Sequence, residues 1–400
     1  MFCMDNNMNK KPHSARVRRG NACVHGGDIY GASRLTGIPV HKIIDFSASI
    51  NPLGASPRAL KAAAAAMDNQ RIRNYPPPHA DGLALRIAEM LGAGVHKNGE
   101  RQVITGNGST ELIYLLPRAL RPKTVLIHNP TFSEYRRAAL LSGARLLSAN
   151  KNLSVKRGIS SEKECISLDC DVLFDFDRFA RAMREADMAY ICNPNNPTGE
   201  LTGREVMAAL AREAKKARCH LVVDEAFIDF CPGQSLAGET AKGDKNKNPW
   251  LIILRSMTKF HALTGLRMGY AVFGSAQTAK KVLEYKEPWS VNIPAMEAAM
   301  AALDDGEHAE KTLRLMEKEK NYIGGQLREA GIWHLKPAAN FFLIRIKRPG
   351  ELVKRLLQKG MLVRDCSNFE GLGEGFIRIA IKKRGENRLL LNCIRDFLLK

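Results

Sequence analysis

Five short apolar runs, each closing on a polar signature, constrain this 400-residue chain most strongly. Gln102-Val103-Ile104-Thr105 leads into Gly106-Asn107-Gly108-Ser109-Thr110-Glu111, and a helical pattern at Leu112, Leu115, Leu116 and Ala119 follows. Thr124–Ile127 leads to Asn129-Pro130-Thr131-Phe132, and Ala189–Cys192 to Asn193-Pro194-Asn195-Asn196-Pro197-Thr198-Gly199. Leu221-Val222-Val223 ends at Asp224-Glu225-Ala226-Phe227. Leu251–Leu254 leads to Ser256-Met257-Thr258-Lys259-Phe260, with Arg267 eight residues beyond the lysine. Helical stretches such as Arg204–Arg218 separate later runs, so the alternation predicts a mostly parallel sheet with crossover helices. In open α/β sheets, ligands bind at the carboxyl ends of the strands, where these signatures fall.

Each signature offers chemistry beside a plainer alternative. Lys259 can form a Schiff base with an aldehyde cofactor while Ser256 and Arg267 hold its phosphate; otherwise it is a solvated loop lysine. The Gly106–Thr110 loop opens a helix, whose free N–H groups and positive dipole end suit a phosphate; otherwise it is an ordinary helix start. Asp224 ends a buried strand, where an unpaired carboxylate is costly. It can hold a protonated pyridine nitrogen, or it can pair with a nearby Arg or Lys. Asn196 can donate to a ring oxygen or serve as a turn residue. Phe132 can stack on a ring or fill the core.

Taken together, in this order, these residues resemble the fold-type I enzymes that use pyridoxal 5′-phosphate (PLP). The chain from about His25 onward is similar to the aspartate-aminotransferase superfamily, in the branch containing histidinol-phosphate aminotransferase. The resemblance implies a large domain with a mostly parallel seven-stranded sheet and a small α/β C-terminal domain. It assigns the cofactor linkage to Lys259, the pyridinium contact to Asp224, the ring-oxygen contact to Asn196 and stacking to Phe132. It assigns phosphate contacts to Gly108, Ser109, Thr110, Ser256 and Arg267. Tyr75, in Arg73-Asn74-Tyr75-Pro76, matches a tyrosine that reaches the neighbouring subunit's cofactor, which implies a homodimer.

Further segments resemble the threonine-phosphate decarboxylases of cobalamin biosynthesis. These are His25-Gly26-Gly27-Asp28, Ile44–Gly54, Asp224–Phe230, Pro288-Trp289-Ser290-Val291-Asn292, Leu362–Phe369 and Phe376–Ile381. Phe227 stands where aminotransferases of the superfamily usually carry a tyrosine, and phenylalanine donates no hydrogen bond. Arg364 and Arg378 suit a substrate phosphate dianion, leaving the α-carboxylate without a strong cationic clamp. His25 and Asn51 are placed near that carboxylate by analogy. The implied activity is a PLP-dependent carboxy-lyase reaction on L-threonine O-3-phosphate. Serine phosphate decarboxylation and histidinol-phosphate amino transfer remain alternatives.

Composition suits such an enzyme. Four hundred residues with 45% hydrophobic content can bury a sizeable core. The expected division is an arm at 1–50 joining the small domain, a large domain at 51–290 and a small domain at 291–400. Nine cysteines form no CxxC pair, so no metal is expected and reduced thiols in the cytoplasm are the default. No apolar run is long enough to span a bilayer. A net charge of +20 raises the alternative of a nucleic-acid-binding protein. The basic clusters (Lys10, Lys11, Arg16, Arg18 and Arg19; Lys242–Lys247; Lys382-Lys383-Arg384) lack interleaved aromatics, which favours solvated faces that attract anionic substrates. The first twenty residues are expected to be a tail, and Lys151–Asp169 and Gly238–Asn248 to be polar surface segments.

Overall fold

The computed structural model describes residues 25–92, 101–148, 174–241 and 248–399. The basic N-terminal arm, the 151–169 segment and cysteines 3, 23, 165 and 170 lie outside them. The described residues include twelve strands. These are β1 (Ile44–Asp45), β2 (Val103–Asn107), β3 (Thr124–Ile127), β4 (Arg145–Ser148), β5 (Met188–Cys192) and β6 (His220–Asp224). They continue with β7 (Leu251–Ser256), β8 (Met268–Phe273), β9 (Phe341–Arg345), β10 (Met361–Leu362), β11 (Arg364–Asp365) and β12 (Phe376–Ala380).

Seven strands make one sheet in the order β2-β8-β7-β6-β5-β3-β4. All neighbours in it pair parallel except those of β8, which runs antiparallel to both β2 and β7. The apolar runs of the central strands, Met188–Cys192 and Leu251–Leu254, are buried throughout, so they do not alternate with polar residues. The alternation instead sorts them between two cores. Leu221, Val223, Leu251 and Ile253 join the cluster with helices Asp81–Met90, Phe176–Met183 and Arg204–Ala217. Val222, Ile252 and Leu254 point the other way, to helices Ser109–Leu120, Ser133–Leu141 and Ala276–Leu283. A strand's period of two explains the split.

A third cluster packs one face of the β11-β12-β9 sheet against helices Gly306–Glu329, Pro349–Gln358 and Arg384–Leu398. Strand β1 pairs parallel with β10, so the N-terminal segment joins the C-terminal part of the chain. The helix just beyond the boundary expected at residue 290 packs with the large sheet. Helix Ile293–Leu303 buries Ala295, Ala298, Ala299 and Ala302 in the large-sheet cluster, beside helix Pro57–Ala65. Small side chains let the two helices approach closely, and the core changes only after Leu303. Gly238–Asn248 also departs from a plain surface loop, because its start lies in the short helix Ala237–Ala241 behind the buried Leu236.

Leu210 is fully buried on helix Arg204–Ala217. Leu210→Ala should cost about 2–5 kcal/mol of unfolding free energy, read by denaturant titration, through lost burial and a residual cavity. A loss below about 1 kcal/mol would contradict the packing described.

Candidate active site

Strands β5, β6 and β7 deliver their carboxyl ends to one cavity of about 280 Å³. Its lining includes Ser109, Thr110, Phe132, Asn196, Asp224, Ser256, Lys259, Arg267, Arg364, Arg378 and His25. Residues separated by as many as 353 positions thus converge as the sequence expected. Gly108, Asn51 and Tyr75 are not in the lining.

Asp224 is buried at the end of β6. Burial raises its pKa, while the Tyr135 hydroxyl (2.6 Å to Oδ2), the Ala226 N–H (2.9 Å to Oδ1) and the Lys259 charge oppose that rise. Tyr135 was not singled out from sequence. It lies three residues after Phe132 near the start of helix Ser133–Leu141, a spacing that sets both on one face. Burial pulls Lys259 down to about 8, helped by the Arg378 and Arg267 charges and opposed by Asp224. A buried amine near neutrality is a competent nucleophile.

The phosphate-binding candidates form a cup. The Ser109–Leu120 helix begins after Gly108, which takes φ 77°, a conformation suited to glycine. A Cβ there would lie 2.6 Å from Arg267 Nη2, so Gly108 also makes room for the guanidinium. Arg267 itself adopts φ 62°, an uncommon conformation for a side chain of this size. Across the cup, Ser256 Oγ lies 2.8 Å from Thr258 Oγ1.

Two arginines from the small sheet also line the cavity. Arg364 on β11 and Arg378 on β12 are direct cross-strand partners, so their side chains share one face of the small sheet. Both are buried. Arg378 donates to Ser47 O (2.7 Å) and to Asn196 Oδ1. The second bond orients the Asn196 amide, leaving its NH₂ group to serve another acceptor. Arg364 donates to Asp365 O (2.7 Å) and Asn368 Oδ1 (2.8 Å). Burial lowers Arg378 to about 10, with the Arg364 charge adding to the effect. Like charges placed opposite each other in a buried site favour an anionic occupant.

His25 Nε2 lies 3.0 Å from Glu134 Oε1, and the Tyr114 hydroxyl also bonds Glu134. These contacts, His25 first, hold the Glu134 carboxyl below its usual range. Glu134 is a cavity residue that sequence reasoning missed; nothing marked it apart from an ordinary first-turn acid. The Asn51 side chain donates to Phe260 O (2.9 Å) and Thr312 Oγ1 (2.8 Å) and accepts from Leu53 N–H (3.0 Å), so its amide braces the lysine segment from outside the cavity lining. Tyr75 is 82% exposed and packs on Trp289, with ring centroids 4.9 Å apart.

The family model for class I and II aminotransferases matches residues 41–394. The chain belongs to that family. It is 34% identical to threonine-phosphate decarboxylase of Salmonella typhimurium over 94% of this chain and 96% of that protein. Histidinol-phosphate aminotransferase of Clostridium acetobutylicum superposes with a TM-score of 0.76 at 28% identity, covering 88% of this chain and 98% of the other. L-threonine-O-3-phosphate decarboxylase of Porphyromonas gingivalis gives 0.72 at 26% identity, covering 89% and 99%. The chain is accordingly a PLP-dependent enzyme of fold-type I. The cavity fits that cofactor. Its buried carboxylate suits a pyridinium, its amine an aldehyde, and the cup of Ser109, Thr110, Ser256 and Arg267, for whose guanidinium Gly108 leaves room, suits a phosphate. Among the described residues no acidic, histidine or cysteine cluster could hold a metal, and no helix is long and apolar enough to cross a membrane. The described cysteines, Cys192, Cys219, Cys231, Cys366 and Cys393, are free.

Reaction with an aldehyde requires the neutral amine. The rate of PLP uptake by the apoprotein should therefore rise with pH through about 8 and level off above it. A midpoint near 10, followed by absorbance, would contradict the buried setting of Lys259. Asn51→Ala should lower unfolding free energy by about 1–3 kcal/mol by stranding buried partners. A stability change near zero would contradict its bracing role.

Proposed function

We propose that the enzyme decarboxylates L-threonine O-3-phosphate to (R)-1-aminopropan-2-yl phosphate, a building block of the cobalamin nucleotide loop. The cross-strand Arg364–Arg378 pair facing Lys259 carries this reading. Two guanidiniums suit a phosphate dianion better than a lone carboxylate. Similarity to threonine-phosphate decarboxylase over nearly the whole chain supports it as well.

In this reading Lys259 holds the cofactor through its amine, Asp224 keeps the pyridine nitrogen protonated, and Tyr135 fixes Asp224 in place. Arg267, Ser256, Ser109, Thr110 and the Gly108 turn receive the cofactor phosphate. Phe132 stacks on the ring, and the free Asn196 NH₂ donates to its oxygen. When bound, PLP supplies an electron sink for the pair released as a bond to the substrate α-carbon breaks. Arg364 and Arg378 anchor the substrate phosphate and so orient the carboxylate bond for cleavage. The carboxylate, lacking a paired cationic clamp, is destabilised relative to a transition state that disperses its charge. His25, paired with Glu134, is placed beside it by analogy with the family. Once the substrate amino group has taken its place on the cofactor, the Lys259 amine is free to carry a proton. The bond between the α-carbon and the carboxylate breaks, CO₂ departs, and Lys259 would deliver its proton to the α-carbon. Phe227, packed edge-to-face on Phe341, adds no hydrogen bond to the ring oxygen.

We place one domain around the seven-stranded sheet up to Leu303. A second joins the segment before Asn51 to residues 304–399, with the substrate seat where they meet. A homodimer is part of the reading, since the exposed Tyr75 would serve the partner's cofactor phosphate. The proposed location is the cytoplasm.

One methyl separates threonine phosphate from serine phosphate, a discrimination of about 1–3 kcal/mol. The purified holoenzyme should be offered both esters, and histidinol phosphate with 2-oxoglutarate, with products identified by mass. The expected outcome is CO₂ and aminopropanyl phosphate from threonine phosphate, with slower turnover of the serine ester. Rapid 2-oxoglutarate-dependent amino transfer without CO₂ would overturn the proposal.

A further inference from the structure

The segment Pro288–Asn292 stands out in the sequence, yet none of its residues lines the cavity. It is tied to three elements around the cofactor-phosphate cup. Ser290 Oγ donates to Glu111 Oε2 (3.1 Å), in the first turn of the helix that opens the cup. Asn292 Nδ2 donates to Leu266 O (3.1 Å), next to Arg267. Trp289 N–H donates to Pro78 O (2.9 Å), and its ring packs on Tyr75.

The first tie is the most constrained. Glu111 Oε2 also accepts from the Asn107 backbone N–H, one residue before the Gly108 turn. Gly106 leaves space for this carboxylate, since a Cβ there would lie 3.1 Å from Glu111 Oε2 and 3.0 Å from Leu112 Cγ. Lys286, whose side chain is fully buried, donates to Ser290 Oγ (2.6 Å) and Glu287 O (3.2 Å). Its Nζ lies 3.7 Å from Glu111 Oε1, an atom with no hydrogen-bond partner of its own. A buried ammonium is costly unless an anion and acceptors surround it, so Lys286, Ser290 and Glu111 hold one another in a single arrangement.

We propose that Glu111, Ser290 and Lys286 are positioning residues that hold the Asn107–Thr110 turn in its phosphate-binding conformation and thereby set how tightly the enzyme retains PLP. The cluster touches neither ring nor substrate. It acts through the Asn107 N–H and the first turn of the helix, whose free N–H groups must point together at a phosphate. Removing the Glu111 charge loosens that turn and leaves Lys286 without its anion. The inference rests on the cofactor reading of the cavity.

The test titrates apoprotein with PLP by absorbance, with apoprotein melting temperature measured in parallel, for Glu111→Gln and Ser290→Ala. Glu111→Gln should raise the PLP dissociation constant about tenfold, the effect of one charge-assisted hydrogen bond. Ser290→Ala, which keeps both charges, should raise it about threefold. A lowered melting temperature with a dissociation constant within about twofold of wild type would mark the cluster as structural only and overturn the proposal. If Glu111→Gln does not fold, Ser290→Ala decides by the same criterion. Wild-type apoprotein that takes up no PLP would instead sink the cofactor reading.

Discussion

Buried positive charge in need of an anion is the constraint around which this molecule is arranged. Lys259, Arg267, Arg364 and Arg378 line one cavity of about 280 Å³, faced by the carboxylates of Asp224 and Glu134 alone among its lining residues. Glu134 is engaged by His25 and Tyr114, and Asp224 by Tyr135 and Ala226. Burying cations costs several kcal/mol apiece unless they are compensated. The depressed pKa values of Lys259 and Arg378 express that cost. Two anionic groups, one at the Arg267 cup and one at the arginine pair, would relieve it. The PLP phosphate suits the first, and under the proposed function the substrate phosphoester supplies the second.

The two seats have different mechanical origins. The cup sits on the large sheet, where β7 and the Ser109–Leu120 helix are held by cores on both faces. The arginine pair sits on the small sheet, whose strands belong largely to another cluster. Contacts that link them include Arg378 to Asn196 and Phe341 to Phe227. Under the proposed function, the first would couple substrate anchoring to the amide aimed at the cofactor ring.

Much of this was legible in the chain because strand ends carry their signatures locally. Asp224, Asn196, Ser256 and Lys259 each follow an apolar run, and parallel-sheet geometry sends such residues to one edge. Strands β8 and β4 were not anticipated: β8 follows directly after the Arg267 signature, and β4 is a four-residue edge strand only partly buried. Tyr135 and Glu134 were missed because a helix presents them to the cavity, and the helical period does not say what a face meets. The Asn51 hydrogen bonds to Phe260 and Thr312 were equally invisible, since tertiary structure brings those partners to it. The packing of helix Ile293–Leu303 on the large-sheet core depends on small residues, which periodicity alone does not assign.

The most direct test of the central claim compares wild type with Arg364→Ala on threonine phosphate and on unphosphorylated threonine, reading kcat/KM for CO₂ release. If the arginine pair exists for the phosphoester, the variant loses about 10- to 100-fold on the phosphate while its weak activity on threonine is unchanged, as expected for a lost ionic hydrogen bond. Equal losses on both substrates would contradict the account, placing Arg364 on the carboxylate or in the fold instead.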